Sequence, residues 1–329
     1  MDKKQFVKEL KDKEQVKSVF LASDKAILTD RNGKSYLSLN LKDSSGAINA
    51  RLWDRMEAVE PSFRSGDFIW IKGHVQVYQN RKQIVIHDLR PARSSEYTLD
   101  DFAQGPVRKI DELWQDFINF IASIEDVHIR TLLQNMTSEN GIEIKIKAIP
   151  AAKSIHHSYM GGLLEHIVSI CQLMDGLAKH YPWLTRDYLI FGAIFHDIGK
   201  IEELMIESGT QYSDKGRLVG HMAIGCEFID DYSRDIADFP AELKDILKHI
   251  VLSHHGRLEY GSPVLPSFPE AYVVALIDDL DSKLNTMVKF MESELEGSEK
   301  WTRYNQGFDR YFYLEILKKK TRDQVVSEP

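Results

Sequence analysis

The run AIFHDIGK, residues 193–200, sets His196 and Asp197 side by side between Phe195 and Ile198. Any fold that buries the apolar flanks must also bury an imidazole and a carboxylate, and an unpaired buried polar or ionised group is costly. The chain therefore has to bring partners to this point. A divalent cation is one kind of partner and a core hydrogen bond is the other, so the remaining polar residues decide between them.

Those residues fall on apolar helical stripes. His166 in GGLLEHIVSI shares a helix face with Leu163 and Ile170, and His254 in VLSHHG lies one turn beyond Ile250. His221 sits in RLVGHMAIG, and ALIDDLDSKL carries Asp278, Asp279 and Asp281. Taken singly, a histidine on an apolar face is more often a hydrogen-bonded core residue. Several helical segments, each turning a His or Asp inward, fit a metal centre better. Imidazole with carboxylate suits hard-to-borderline divalent ions such as Mn²⁺, Fe²⁺, Zn²⁺, Co²⁺ or Mg²⁺. The two cysteines, Cys171 and Cys226, lie in apolar helical contexts, which argues against a disulfide scaffold and a Cys-based zinc site. The opening MDKKQFVKELKDKEQ has no apolar signal-peptide core, and no stretch approaches the length of an uncharged membrane span. A soluble, cytoplasmic protein with no membrane partner is expected.

The net charge of −8 speaks against a generally basic nucleic-acid coat, but it is unevenly spread. Through residue 105 there are 18 Lys and Arg against 15 Asp and Glu; beyond it there are 24 against 35. Ten of the twelve histidines lie in that second part. The two parts are expected to do different jobs.

Residues 16–92 read as strands. KSYLSLNLKD alternates apolar and polar residues, SSGAINARLW follows a turn, and GDFIWIKGHVQVYQNRKQIVIHDLRP holds two strands around YQNRKQ. Five such strands resemble the OB-fold, whose barrels bind single strands through a basic groove and stacking rings. Tyr36, Trp53, Lys72 and Arg81 are the leading candidates for substrate contact, with Trp70, Tyr78, Lys34, Arg51 and Lys82 also available. For any one aromatic the competing role is inward packing in the barrel. SSEYTLDDFAQGPVR (94–108) loses all periodicity and reads as a linker. The expected organisation is multidomain: an all-β OB-fold barrel over 1–93, an all-α helical bundle over 109–315, and a polar tail over 316–329. Helices are expected at IDELWQDFINFIASI and near 126–136, 161–179, 186–198, 217–232, 241–254 and 269–291.

The order His, His-Asp, Asp on a helical domain resembles the HD-domain metal-dependent phosphohydrolases, with HDIGK as their central motif. By that resemblance His166, His196, Asp197 and Asp278 hold a first metal. His221 and His254 mark the subset that binds a second, with Asp197 bridging. Asp278 occupies the A/I-D-x-L-D position, while Asp279 and Asp281 remain alternatives. His255 is either a supporting group or a ligand in place of His254. Two ions generate a nucleophile near neutral pH and clamp an in-line displacement, so phosphate-ester hydrolysis is the expected chemistry. Asp197 is its central catalytic group. Lys200, one turn after His196, can set its ammonium at a phosphate oxygen; a solvated lysine at a helix end is the plainer reading.

HHSYMGGLLEH (156–166) and HHGRLEYGSPVLPSFPEA (254–271) go further and closely resemble the YhaM-type 3′-5′ exoribonucleases, which join an N-terminal OB-fold to an HD domain. That resemblance spans nearly the whole chain. It implies Mn²⁺-dependent removal of nucleotides from the 3′ end of single-stranded RNA, with single-stranded DNA a substrate of relatives. It also implies that His157 and Tyr159 touch the substrate phosphate or terminal sugar. The rivals are a small-nucleotide HD phosphohydrolase, which leaves the barrel unexplained, and a nucleic-acid-binding regulator with a vestigial HD domain, which leaves the full ligand set unexplained. An HD-GYP phosphodiesterase fits poorly, since HHGRLEYGSP lacks the Gly-Tyr-Pro loop.

Overall fold

The computed structural model describes residues 5–30, 33–54, 62–78, 81–98, 101–102, 108–151, 159–206, 210–295 and 299–319. Five strands come first: β1 (Gln15–Thr29), β2 (Ser35–Asp43), β3 (Gly46–Leu52), β4 (Phe68–Tyr78) and β5 (Arg81–Pro91). They close into a barrel in the order β1-β2-β3-β5-β4, antiparallel at every seam except the parallel β3–β5 pairing. Closure leaves no sheet edge to pair with another chain.

Strict alternation builds the interior. β2 sends Leu37, Leu39 and Leu41 inward and Tyr36, Ser38 and Asn40 outward; Ile48, Ala50, Ile69, Ile71, Val75, Ile84 and Ile86 complete the lining. The strand aromatics Tyr36, Trp70 and Tyr78 are therefore not interior residues, and Arg90 lies 4.9 Å over the Trp70 ring. β1 serves two neighbours. Its first half pairs with β4 and its second with β2, and the register breaks between Ser23 and Ala26, where Asp24 takes a positive φ of 51°. Such a bulge bends the strand around the barrel. A second shift falls at Gly73, where an added Cβ would come within 2.4 Å of the Val85 carbonyl oxygen.

The helical region runs α1 (Ile110–Ala122), α2 (Val127–Ser138), α3 (Ile142–Ala148), α4 (Gly162–His180), α5 (Arg186–Phe195), α6 (Lys200–Glu203), a hairpin of β6 (Leu204–Ile206) and β7 (Thr210–Tyr212), then α7 (Asp214–Leu218), α8 (His221–Ser233), α9 (Ala241–Ser253) and α10 (Pro269–Glu292). The long helices match the expected segments closely because each carries one apolar stripe, except that the segment expected near 217–232 is broken at Gly220, whose φ is 79°, so that α8 starts at His221. α3 is not legible in this way: IEIKIKA alternates like a strand, yet Ile142 and Ile146, one turn apart, are buried while Ile144 is exposed. Packing overrides the local pattern there. α4, α5, α8 and α9 surround an apolar core separate from that of the barrel.

Two compact units result: Gly105–Thr286, and Met1–Gln104 together with Met287–Pro329. The helical domain is expected over 109–315, but residues 287–315 group with the barrel, where Glu294 accepts from Arg81 at 2.7 Å. Among the described residues no helix is long and apolar enough to cross a membrane.

Candidate metal centre

α5 is buried through its last two turns, from Leu189 to Phe195. Gly192 allows this, since a Cβ there would sit 2.5 Å from Val274 Cγ2 and 3.0 Å from Ile250 Cγ2, so α10 and α9 press directly on the helix. His196 follows at the helix C-terminus. Its Nδ1 meets the carbonyls of Gly192 at 3.0 Å and Ala193 at 3.1 Å in the last turn, and the Gly192 carbonyl also accepts the His196 backbone N–H at 3.0 Å. Donating from Nδ1 turns Nε2 away from the backbone and toward the centre.

Four other histidines repeat this arrangement with different acceptors. His254, at the end of α9, donates from Nδ1 to the Val251 carbonyl at 2.7 Å, and His255 to the Tyr260 carbonyl at 2.9 Å. His221, the first residue of α8, has Nδ1 3.0 Å from Glu203 Oε1, which also accepts the His221 backbone N–H at 3.0 Å. His166 on α4 has Nδ1 2.8 Å from Asp281 Oδ2, and the other oxygen of Asp281 accepts from Ser169 Oγ at 2.6 Å. An imidazole whose Nδ1 is held by an acceptor offers its Nε2 lone pair elsewhere, which is how protein structure prepares a metal ligand.

The carboxylate of Asp197 lies between two such groups. Its Oδ2 is 3.5 Å from His196 Nε2 and 3.9 Å from His166 Nε2, and Asp278 Oδ1 approaches those nitrogens at 3.7 and 3.2 Å. Its Oδ1 is 3.5 Å from His221 Nε2 and 3.7 Å from His254 Nε2. His221, His254 and His255 each bring a ring nitrogen within 4.8 Å of the others, as do the ligand atoms of His166, His196 and Asp197. Asp197 Oδ1, His221 Nε2 and His254 Nε2 are buried without a hydrogen-bond partner. Buried acceptors facing one another are unfavourable unless a cation sits among them. The donor set thus fits divalent metal.

Electrostatics sharpen the picture. Burial raises the cost of ionising Asp197, but Lys200 and His196 more than offset this and hold it well below the usual carboxylate range. Asp278 is also lowered, against burial, by His166 and His196. Burial and the neighbouring imidazoles push His254 well down, and His255 is lowered for the same reasons. His166 goes the other way: burial opposes its charge, yet Asp278 and Asp281 raise it to about 9. Lys200 donates to Asp197 Oδ2 at 2.6 Å and to the Ala151 carbonyl at 2.7 Å, which uses two of its three donors.

The three aspartates of ALIDDLDSKL separate cleanly. Asp278 faces Nε2 of His166 and His196, Asp281 holds Nδ1 of His166, and Asp279 points outward to Lys283 at 2.7 Å. His157 lies outside the described residues, and the Tyr159 hydroxyl donates to the Glu165 carboxylate. Sequence reasoning missed Glu203 and Ser169. Glu203 sits among the charged residues of KIEEL, which by sequence alone could be solvated, and only the fold reveals that it is buried against His221.

On the barrel, Tyr36 and Trp53 stack with ring centroids 4.5 Å apart, and the Arg51 guanidinium lies 5.3 Å from the Tyr36 centroid and 5.5 Å from that of Tyr78. Lys72 lies six positions before Tyr78, about 20 Å of extended strand, outside this cluster. Arg81 is held by Glu294.

The chain matches two family models, an HD domain over residues 163–283 and an OB-fold nucleic acid binding domain over residues 16–92. The curated protein 3′-5′ exoribonuclease YhaM of Bacillus velezensis is 34% identical over 281 residues, covering 85% of this chain and 88% of its own length. YhaM of Bacillus subtilis is 34% identical over 265 residues, 79% of this chain and 82% of that protein. YhaM of Halalkalibacterium halodurans is 31% identical over 280 residues, 85% and 87% of the two chains.

Proposed function

The chain belongs to the YhaM family of 3′-5′ exoribonucleases and is a metal-dependent 3′-5′ exoribonuclease; from that premise we propose how its own residues divide the work. His166, His196, Asp197 and Asp278 hold one divalent ion, and Asp197, His221 and His254 hold a second, with His255 beside it. Mn²⁺ is the ion this reading favours. Bound there, divalent ions polarise the scissile phosphate and lower the pKa of water. Asp197 would serve both groups, since its two oxygens face different pairs of histidines. Lys200, already charge-paired with Asp197, has one donor left for a non-bridging phosphate oxygen of the terminal nucleotide. His157 and Tyr159 lie on the stretch that this reading assigns to the substrate's terminal phosphate or sugar.

The barrel, within residues 1–93, captures the strand. Tyr36 and Trp53 offer faces for bases, Arg51 a charge beside them, and Lys72 and Arg81 further positive charge along β4 and at the start of β5. Capture tethers a flexible end and raises its concentration at the hydrolytic centre. Stacking does not distinguish RNA from DNA, so single-stranded DNA is a second substrate class. Free cysteines at Cys171 and Cys226 accord with a cytoplasmic enzyme.

The observation that carries the metal assignment is the convergence of three unpartnered acceptors, Asp197 Oδ1, His221 Nε2 and His254 Nε2. Asp197→Asn should abolish hydrolysis and lower bound metal while the protein still folds. Purified protein with Mn²⁺ should shorten a 5′-labelled single strand from its 3′ end to mononucleotides and leave a stable duplex intact. Full activity of the variant at unchanged metal stoichiometry would defeat the assignment. Cleavage of a circular strand would contradict the polarity.

A further inference from the structure

We propose that the hairpin of residues 300–313 is a second stacking platform for single-stranded nucleic acid, continuing the strand path of the barrel. The proposal rests on the reading of the barrel as the strand-capturing part. Residues 300–313 hold six aromatic residues, and three Lys and Arg against one Asp, in a chain whose net charge is −8. Within them, isolated antiparallel bridges join Trp301 to Tyr313 and Asn305 to Arg310. The Thr302 and Leu314 amides donate across the hairpin to the Phe312 and Lys300 carbonyls at 3.0 and 2.8 Å.

Pairing of this kind sorts side chains onto two faces. Thr302, Phe312 and Leu314 are turned inward, 4, 8 and 1% exposed, and Phe312 packs edge-on against Phe290 and Phe308. Trp301, Tyr311 and Tyr313 are turned out, 55, 57 and 40% exposed. Trp301 and Tyr313 lie with centroids 5.1 Å apart, and Tyr311 meets Tyr304 at 5.2 Å. Four large rings held in place but left to solvent form a patch that hydrophobic burial alone would not maintain. Lys300, Arg303 and Arg310 are interspersed with them and are exposed as well.

Rings give bases a surface and cations give phosphates a partner, so charge complementarity selects a polyanion with stackable faces. The anchoring supports the same occupant. Glu294, whose side chain is nearly buried, takes Arg81 at 2.7 Å and Arg303 at 3.4 Å. Arg81 begins β5 and pairs with Tyr78 at the end of β4, the end of the strand 4–5 pair at which OB barrels hold oligonucleotides. Arg81 therefore ties the hairpin to the barrel's binding edge as well as supplying charge.

The test uses full-length protein carrying Asp197→Asn and a fluorescein-labelled RNA of about 30 nucleotides, longer than the roughly 4–16 that one OB barrel covers. Trp301→Ala, Tyr311→Ala and Tyr313→Ala combined should weaken binding about five- to a hundredfold. Trp301→Phe, which keeps a ring, should bind within about twofold of the parent. Lys300→Glu with Arg310→Glu leaves the inward anchors untouched and should weaken binding with a shallower salt dependence, which guards against misfolding of the aromatic variant. Parental affinity for the long strand in both the aromatic and the charge variants would overturn the proposal and leave barrel capture standing. A drop in oligomeric state with unchanged affinity would overturn it too, marking the face as a contact between copies. Failure of the parent to bind any single strand would overturn barrel capture and this proposal together.

Discussion

Glu203 fixes His221 through two atoms of that residue, the backbone N–H and Nδ1, so one carboxylate sets both the start of α8 and the orientation of a ring. Its own pKa is lowered, because the His221 interactions outweigh burial. Glu203→Gln should keep the fold but weaken metal binding or activity about 10- to 100-fold, the usual loss when a group supporting a ligand is altered. Calorimetric metal titration checks it, and parental metal affinity would count against the role. His166 gives a pH signature. Its folded pKa of about 9 exceeds the unfolded value of about 6.5, so the metal-free protein has this contribution in full below pH 6.5 and loses it as pH rises through 9. The melting temperature of chelator-treated protein should fall between pH 7 and 9, by an amount equivalent to roughly 3 kcal/mol at most. Saturating metal should remove the slope, since the ring nitrogen is then occupied. His166→Asn should remove it too, and an unchanged slope in that variant would assign the titration elsewhere. His196 and Asp197 were legible in the sequence because they interrupt an apolar run. Glu203 was not, because a glutamate on a polar helix looks the same whether solvated or buried.

At the scale of elements, the centre is assembled mostly from helix ends. His196 and His254 close α5 and α9, His221 opens α8, and only His166 and Asp278 stand within helices. Ends can be brought together only if the backbones approach closely, and Gly199 provides that approach. Its φ of −59° is ordinary helical geometry, so the requirement is space: a Cβ would lie 2.1 Å from the His221 carbonyl oxygen and 3.0 Å from the Gly225 nitrogen. Gly199→Ala must displace α8 against backbone that cannot yield, and should cost about 1–3 kcal/mol while lowering metal affinity. Gly176→Ala in α4, with nothing within 4 Å of the new methyl, should instead raise stability by about 0.5–1 kcal/mol. Denaturant melts of the two variants check the contrast, and equal effects would refute the packing explanation. The long helices were legible from their stripes. The β6–β7 hairpin, α3 and the pairing of Trp301 with Tyr313 were not, since each is too short for periodicity and is held by packing.

For the whole molecule, strand capture and hydrolysis draw on different forces and should separate by salt. Binding of a long single strand to the Asp197→Asn protein should weaken with salt, and Arg51→Gln should reduce the slope of log affinity against log salt by about 0.7, one phosphate contact on a single strand. Tyr36→Ala with Trp53→Ala should lower affinity about five- to a hundredfold at every salt concentration, because stacking releases no counterions. Equal slopes and affinities across parent and variants would point to a barrel that binds something other than a strand. The sequence by itself determined the barrel strands and the long helices through their two- and 3.6-residue periodicities, it marked candidate metal-ligand residue types by setting His and Asp in apolar runs, and it carried the YhaM family in the HHSYMGGLLEH and HHGRLEYGSPVLPSFPEA stretches that resemble it. Tertiary structure decided what depends on approach between distant segments. It gave Asp278, Asp281 and Asp279 three different surroundings, although all three sit on one helix within four residues. It turned the barrel aromatics outward, and it joined the hairpin of residues 300–313 to the barrel's unit through a nearly buried glutamate. Those outcomes turn on distances of a few ångströms between groups far apart in sequence, a quantity that no local pattern of residues encodes.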